Sequence, residues 1–308
     1  MRKKLYKILN LAVISFLSFN TACASIGHNV APPVDSFTLL SATHTVEICA
    51  SEQIQQDPDF QSSGLPTCTS FESKSLASGS IIRHYREPLN RENRSLVLTV
   101  AHWCEPMDPQ AIAQAIPRGG PREMVMAGLY EISRHTVVEY AVDNLGIMHP
   151  IIKKVSIDNE LDVCLLEVER INMPRLRILA QNPNYGDRVL NMAAPWGHFN
   201  PPNIFIDEGI YLGECHSEQT CRIPGEFNIS GIYAGQGSSG SPILVKRGAI
   251  WYVAGIIHAV RVAPFGGSYL PMGASVEQIR TVIERDFDPY LRGERGVDLQ
   301  TPEEPDMK

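Results

Sequence analysis

The sequence predicts an all-β protein, because short β-like runs recur along most of its 308 residues and only two stretches show helical spacing. The runs are Ser80–Tyr85, Ser95–Ala101, Met124–Ile132, Thr136–Val142, Val163–Val168, Val189–Ala193, Asn203–Ile206, Gly209–Leu212, Pro242–Val245 and Trp251–Ile257. Gly, Pro and Asn separate them, the pattern of a β-barrel or sandwich with many tight turns. Asp108–Ile116, opened by Asp-Pro and stopped by Pro117, reads as a short helix. Ser275–Phe287 carries Val276, Ile279, Val282 and Ile283 at helical spacing behind a serine cap. Residues 25–36, with Pro32-Pro33, read as an exposed lead-in, and the polar, Pro/Glu-rich stretch after 290 as a disordered tail.

At 44% hydrophobic and 20% charged residues the chain can bury a sizeable core. Its net charge of −7 argues against nucleic acid as a partner, since phosphate binding needs a basic surface. The N-terminus has the layout of a signal peptide: a basic Met1–Lys7, an apolar Ile8–Phe19, and a small-x-small site at Ala22-Cys23-Ala24. Removing residues 1–24 takes away Arg2, Lys3, Lys4 and Lys7 and leaves a net charge of about −11. The expectation is export with ordinary cleavage. Thr21-Ala22-Cys23 also resembles the end of a bacterial lipobox, and a lipidated Cys23 is the alternative and the one route to a membrane.

Export places the six remaining cysteines in an oxidising compartment. Cys215 and Cys221 flank a polar loop and form the first candidate bridge; Cys49 and Cys68 flank another and form the second. Cys104 and Cys164 sit two residues beyond His102 and Asp162, so they meet if those residues meet; Cys164 as a buried free thiol fits equally. Six cysteines permit about 15 connectivities, which leaves these pairings open.

The chemistry lies in three short stretches: Leu98-Thr99-Val100-Ala101-His102, Leu161-Asp162-Val163-Cys164-Leu165-Leu166, and Gly237-Ser238-Ser239-Gly240-Ser241-Pro242. A serine hydroxyl needs a neighbouring base to become a nucleophile, and the base needs an acid to fix its tautomer. His102 ends an apolar run and is the candidate base. Asp162 heads another run and is the candidate orienting acid, preferred over Asp158. Ser239 sits among glycines that let the amides of Gly237 and Ser239 converge on an oxyanion.

These stretches resemble the Leu-Thr-Ala-Ala-His-Cys, Asp-Ile-Ala-Leu-Leu and Gly-Asp-Ser-Gly-Gly-Pro (bacterial Gly-Asn-Ser-Gly-Ser-Pro) motifs of the trypsin/chymotrypsin superfamily of serine peptidases. Trp103 is an insertion relative to the first, and Ser238 stands where animal members carry aspartate. Pro242–Val245 and Val253–Ile257 match the strands that follow the family's nucleophile. Asn191–Gly197, followed by Gly209–Gly213, is similar to the bacterial high-temperature-requirement proteases. The resemblance implies two six-stranded antiparallel β-barrels, a C-terminal helix, hydrolysis of protein or peptide substrates through an acyl-enzyme, and no cofactor. It divides the chain into a signal peptide (1–24), an N-terminal extension (25–76), a peptidase domain (77–289, its barrels dividing near 170–185) and a tail (290–308). Too few residues follow 290 for a PDZ-like domain, and the mature start lacks Ile-Val-Gly-Gly, so activation by the animal-type N-terminal salt bridge is not expected.

The resemblance also places the specificity pocket near Tyr233–Gln236 and Ile257–Val260. Tyr233 stands where trypsin-like members carry an aspartate, which argues against Lys/Arg preference. His258 falls at or beside the histidine with which glutamyl endopeptidases meet an acidic side chain, so glutamate preference and a small or apolar preference are both open. An α/β-hydrolase fails on residue order, and the histidines and cysteines lack the paired spacing of a structural zinc site. The non-enzymatic alternative is a latent protease fold kept as a binding module.

Overall fold

The computed structural model describes residues 31–64, 66–106, 112, 116, 120–215, 222–262 and 269–292. β1 (Phe37–Ala50) corrects the first expected boundary. Its second half alternates in the manner of a half-buried strand, with His44, Val46, Ile48 and Ala50 turned inward. Ser, Thr and His at many of its positions hide that alternation in the sequence. Two short helices, α1 (Glu52–Gln55) and α2 (Pro58–Ser63), lead into the long β2 (Cys68–Arg86), which pairs with β1 from Phe37↔Ser80 to Cys49↔Cys68. The stretch expected as an N-terminal extension to residue 76 is therefore the first hairpin of a barrel.

β3 (Asn93–Thr99) is followed directly by one helical turn, α3 (Ala101–Cys104). Past the loop comes α4 (Gly120–Met126), so the strand expected over Met124–Ile132 begins late, as β4 (Tyr130–Val142). A Gly-Pro start suits the first turn of a helix, where a proline lacks no needed N–H. β5 (Met148–Asp158) and β6 (Val163–Glu169) complete a closed barrel in the order β1-β2-β3-β6-β5-β4. The helix expected over Asp108–Ile116 lies largely outside the described residues, as do the signal-peptide, Cys23 and tail readings.

The second half contains β7 (Arg177–Ile178), β8 (Arg188–Ala193), β9 (Phe205–Glu214), β10 (Phe227–Ser230), β11 (Pro242–Arg247), β12 (Ile250–Val262) and β13 (Tyr269–Ser275). The sheet runs β11-β8-β9-β10-β13-β12, pairing of β11 with β12 closes it into a second six-stranded barrel, and β7 adds in parallel to β12. The runs expected over Asn203–Ile206 and Gly209–Leu212 fuse into the single strand β9. α5 (Val276–Val282) continues through a wider turn, Ile283–Phe287, into α6 (Asp288–Leu291). Its first turn is capped by Gln278, whose Oε1 accepts the Ser275 N–H at 2.8 Å.

One apolar cluster joins Leu98, Leu165 and Leu166 of the first barrel to Leu190, Leu244 and Val253 of the second, and takes in Ile279, Val282 and Phe287. The helix thus seals the seam between barrels, and the seam has a fixed geometry on which side chains from both halves can meet. Cys49–Cys68 and Cys104–Cys164 are disulfides, the latter settling the question left open by the sequence. Cys215 is disulfide-bonded; Cys221, its expected partner, lies outside the described residues. Among the described residues no helix is long and apolar enough to cross a membrane. The architecture is two closed six-stranded antiparallel β-barrels with a C-terminal helix.

Candidate active site

Strand register brings His102 and Asp162 together. β3 and β6 are antiparallel neighbours with Thr99 opposite Cys164, so the chain leaves β3 toward His102 at the same end where it enters β6 from Asp162. The Cys104–Cys164 disulfide ties α3 to β6 at this point. His102 Nδ1 lies 2.9 Å from Asp162 Oδ2 and 3.1 Å from Oδ1, and the His102 backbone N–H donates to Oδ1 at 3.0 Å. A carboxylate only accepts, so Nδ1 carries a proton, and in the neutral ring Nε2 is the nitrogen with the lone pair. The Asp162 side chain is 3% exposed and that of His102 41%, so the acid is hidden and the base reaches solvent. Burial alone would push the Asp162 carboxyl up, but the hydrogen bonds and charge of His102, with the charge of His258, hold it below the ordinary aspartate range.

Ser239 lies in the turn that precedes β11. Gly237 (φ +88°) and Gly240 (φ +80°) supply the left-handed backbone this turn needs. A Cβ on Gly240 would come within 2.1 Å of the Ser78 carbonyl oxygen and 2.2 Å of Thr99 Oγ1, so the turn presses against the strand that leads to His102. Ser78, fully buried on β2, holds it there. Its N–H donates to the Ser239 carbonyl at 2.7 Å, its hydroxyl to the Gly237 carbonyl at 2.8 Å, and that hydroxyl accepts the Ala194 N–H at 3.1 Å. From the far side the Gly240 N–H donates to the Ile257 carbonyl at 2.7 Å. Among the described residues neither the Gly237 nor the Ser239 N–H is used in a hydrogen bond, and Ser239 Oγ makes none to the His102 imidazole.

Tyr233 is half-exposed beside this turn. Its hydroxyl accepts the Trp196 indole N–H at 3.1 Å, and its ring lies edge-on to Phe205. Trp196 (φ +58°) packs over Gly235 and donates its backbone N–H to the Gln236 carbonyl at 2.5 Å.

His258 corrects the sequence reading. Its side chain has no exposed surface, so it cannot meet a substrate carboxylate. The register of β12 against β13 slips between Ile257 and Ala259, a bulge that turns this one side chain inward, behind Asp162. His258 Nδ1 lies 3.6 Å from Asp162 Oδ2 and Nε2 lies 2.6 Å from Glu226 Oε1. Sequence reasoning missed Glu226 and Ser78, and named Trp196 only within the Asn191–Gly197 resemblance. Glu226 and Ser78 lie far along the chain from the residues they touch, and no local pattern marks them.

No protein-family model matches the chain, and no curated protein matches it. Solved structures do. The Rv3671c protease of M. tuberculosis in its active form matches at 15% identity and TM-score 0.47, over 84% of each chain. A serine-to-alanine inactive form of the same protease matches at 14% and 0.46, over 85% of this chain and 92% of that one. The serine endoprotease of Yersinia pestis matches at 15% and 0.44, over 82% of this chain and 64% of that one.

Proposed function

We propose that the protein is an exported serine endopeptidase acting through an acyl-enzyme. Ser239 attacks the scissile carbonyl, His102 Nε2 takes its proton and passes it to the leaving amine, and Asp162 holds the imidazole in the required tautomer. The amides of Gly237 and Ser239 receive the oxyanion. The observation that carries this reading is the His102–Asp162 pair, its Nε2 without a hydrogen bond among the described residues, beside a glycine-framed serine turn clamped by Ser78. The Cys49–Cys68 and Cys104–Cys164 bridges support passage through an oxidising compartment. With His258 out of reach, the exposed rings of Tyr233 and Trp196 favour a small or apolar side chain at the substrate position preceding the scissile bond.

The second reading, a latent fold that binds without cleaving, is favoured by the missing Ser239–His102 hydrogen bond. Such bonds in unliganded enzymes are often long and tighten on substrate binding, so the first reading stands ahead. A fluorophosphonate probe separates the two. We expect a covalent adduct on Ser239, located by mass spectrometry, that disappears in His102→Ala. Folded protein that stays unlabelled supports the binding module, and an adduct on another serine overturns the assignment of Ser239.

A further inference from the structure

Behind Asp162 lies a second acid–imidazole pair that the proposed reaction does not use. Glu226 is fully buried, as is the His258 side chain, and the two touch at 2.6 Å through Oε1 and Nε2. The other nitrogen of His258 faces Asp162 Oδ2 at 3.6 Å, the oxygen that His102 holds from the opposite side. The Nε2–Oε1 contact is short, and the Nδ1–Oδ2 contact lies beyond ordinary hydrogen-bond distance. The charged groups around this imidazole are Asp162 from the turn before β6, Glu226 from the loop before β10, and His102 across Asp162. Arg222 reaches Asp162 Oδ2 at 3.8 Å from the solvent side.

A neutral imidazole has one N–H and one lone pair. Here either choice points a lone pair at a buried carboxylate. Two such carboxylates with no buried cation between them would be costly, whereas an imidazolium places a positive charge between them. Glu226 is itself fixed: its Oε2 accepts the Arg222 N–H at 2.8 Å, and its own backbone carbonyl accepts the Cys215 N–H at 2.7 Å. Burial pushes its carboxyl up, but the His258 contact and the backbone N–H groups hold it below the ordinary range.

We propose that Glu226 and His258 are positioning residues, a buried carboxylate–imidazolium pair that keeps Asp162 ionised and oriented for His102. The inference rests on the protease reading for its catalytic consequence, while the charge state of His258 can be read without any activity. Histidine ¹⁵N NMR of the intact resting protein, with His258→Gln used to assign the signal, should show both His258 nitrogens protonated at neutral pH. A single protonated nitrogen overturns the proposal, whether or not the protein proves to be a protease.

The kinetic arm follows. Glu226→Gln should lower kcat about tenfold with KM within about twofold, the split expected when a group acts only on transition-state geometry. In His258→Gln, loss of a positive charge beside Asp162 favours the protonated form of the catalytic base. The acid limb of kcat/KM should then move up by about one pH unit. Active variants with unchanged kcat and an unmoved acid limb overturn the positioning role. If His258→Gln does not fold, Glu226→Gln carries the kinetic test, and triple-resonance assignment of the unaltered protein identifies the His258 signal.

Discussion

Asp162 and Glu167 sit near opposite ends of the same strand, each 2% exposed, and are held by opposite means. Glu167 is held by side chains from β2, β3, β5 and α6. It accepts the hydroxyls of Tyr85 at 2.5 Å and Tyr290 at 3.2 Å, and lies 3.4 Å from Arg94 Nε and 3.6 Å from Lys153 Nζ. Burial drives the Tyr85 and Tyr290 hydroxyls to stay protonated, so they remain donors at any ordinary pH. This carboxylate is surrounded by permanent partners and fastens the C-terminal helix to the first barrel. Among the described residues, the charged partners of Asp162 are the imidazoles of His102 and His258 and, at the rim, Arg222, whose side chain is 59% exposed. Imidazoles change charge near neutrality, whereas guanidinium and ammonium do not. Glu167 is locked, whereas the acid of the proposed triad is kept beside groups that can move a proton.

The largest expected separation comes from neutralising each acid in turn. Asp162→Asn should lower kcat/KM by about 10⁴-fold, because the imidazole takes the wrong tautomer. Glu167→Gln should leave kcat/KM within a few-fold but reduce unfolding free energy by about 3 kcal/mol, since it breaks a buried ion pair. Steady-state kinetics and urea denaturation of both variants check this. Equal effects on activity would collapse the distinction.

A pH titration sharpens it. The folded carboxyl of Asp162 is held below its unfolded value, so the stability it confers is complete above about pH 4 and is lost as pH falls through the lower folded value. Denaturation midpoints followed from about pH 6 to about pH 2 should therefore fall less steeply in Asp162→Asn than in the unaltered protein. Parallel curves would mean that Asp162 is not held in its charged form. The smallest effect is expected for Tyr290→Phe. It removes a hydroxyl shared among Glu87, Glu167 and Lys153, and should cost about 2 kcal/mol of stability with no change in kcat or KM.

The same contrast explains what could be read in advance. His102, Asp162 and Ser239 announce themselves because each follows or precedes an apolar run that must be a core strand, and because glycines frame the serine. β1 was hidden, since Thr38, Ser41 and His44 fill positions that an amphipathic pattern reserves for apolar residues, although all three are buried. Met124 looked like the start of a strand because its apolar neighbours suit either a helix or a strand over so short a stretch. His258 was placed near the right position and assigned the wrong surroundings. Its facing depends on a bulge, and one residue of slippage moves a side chain from one face of a strand to the other.

By itself the sequence determined an all-β chain of short strands, a terminal helix and the candidates His102, Asp162 and Ser239, because periodicity and glycine placement are local properties. Only the tertiary structure decided that Ser78 clamps the serine turn from the other barrel, that Cys104 joins Cys164, and that Glu226 and His258 stand behind Asp162. Those contacts link residues 60 or more positions apart in three of the four cases, counting Ser78–Gly237, Cys104–Cys164 and His258–Asp162. Register, a bulge and the docking of two barrels set them, and no stretch of chain carries these in its own composition.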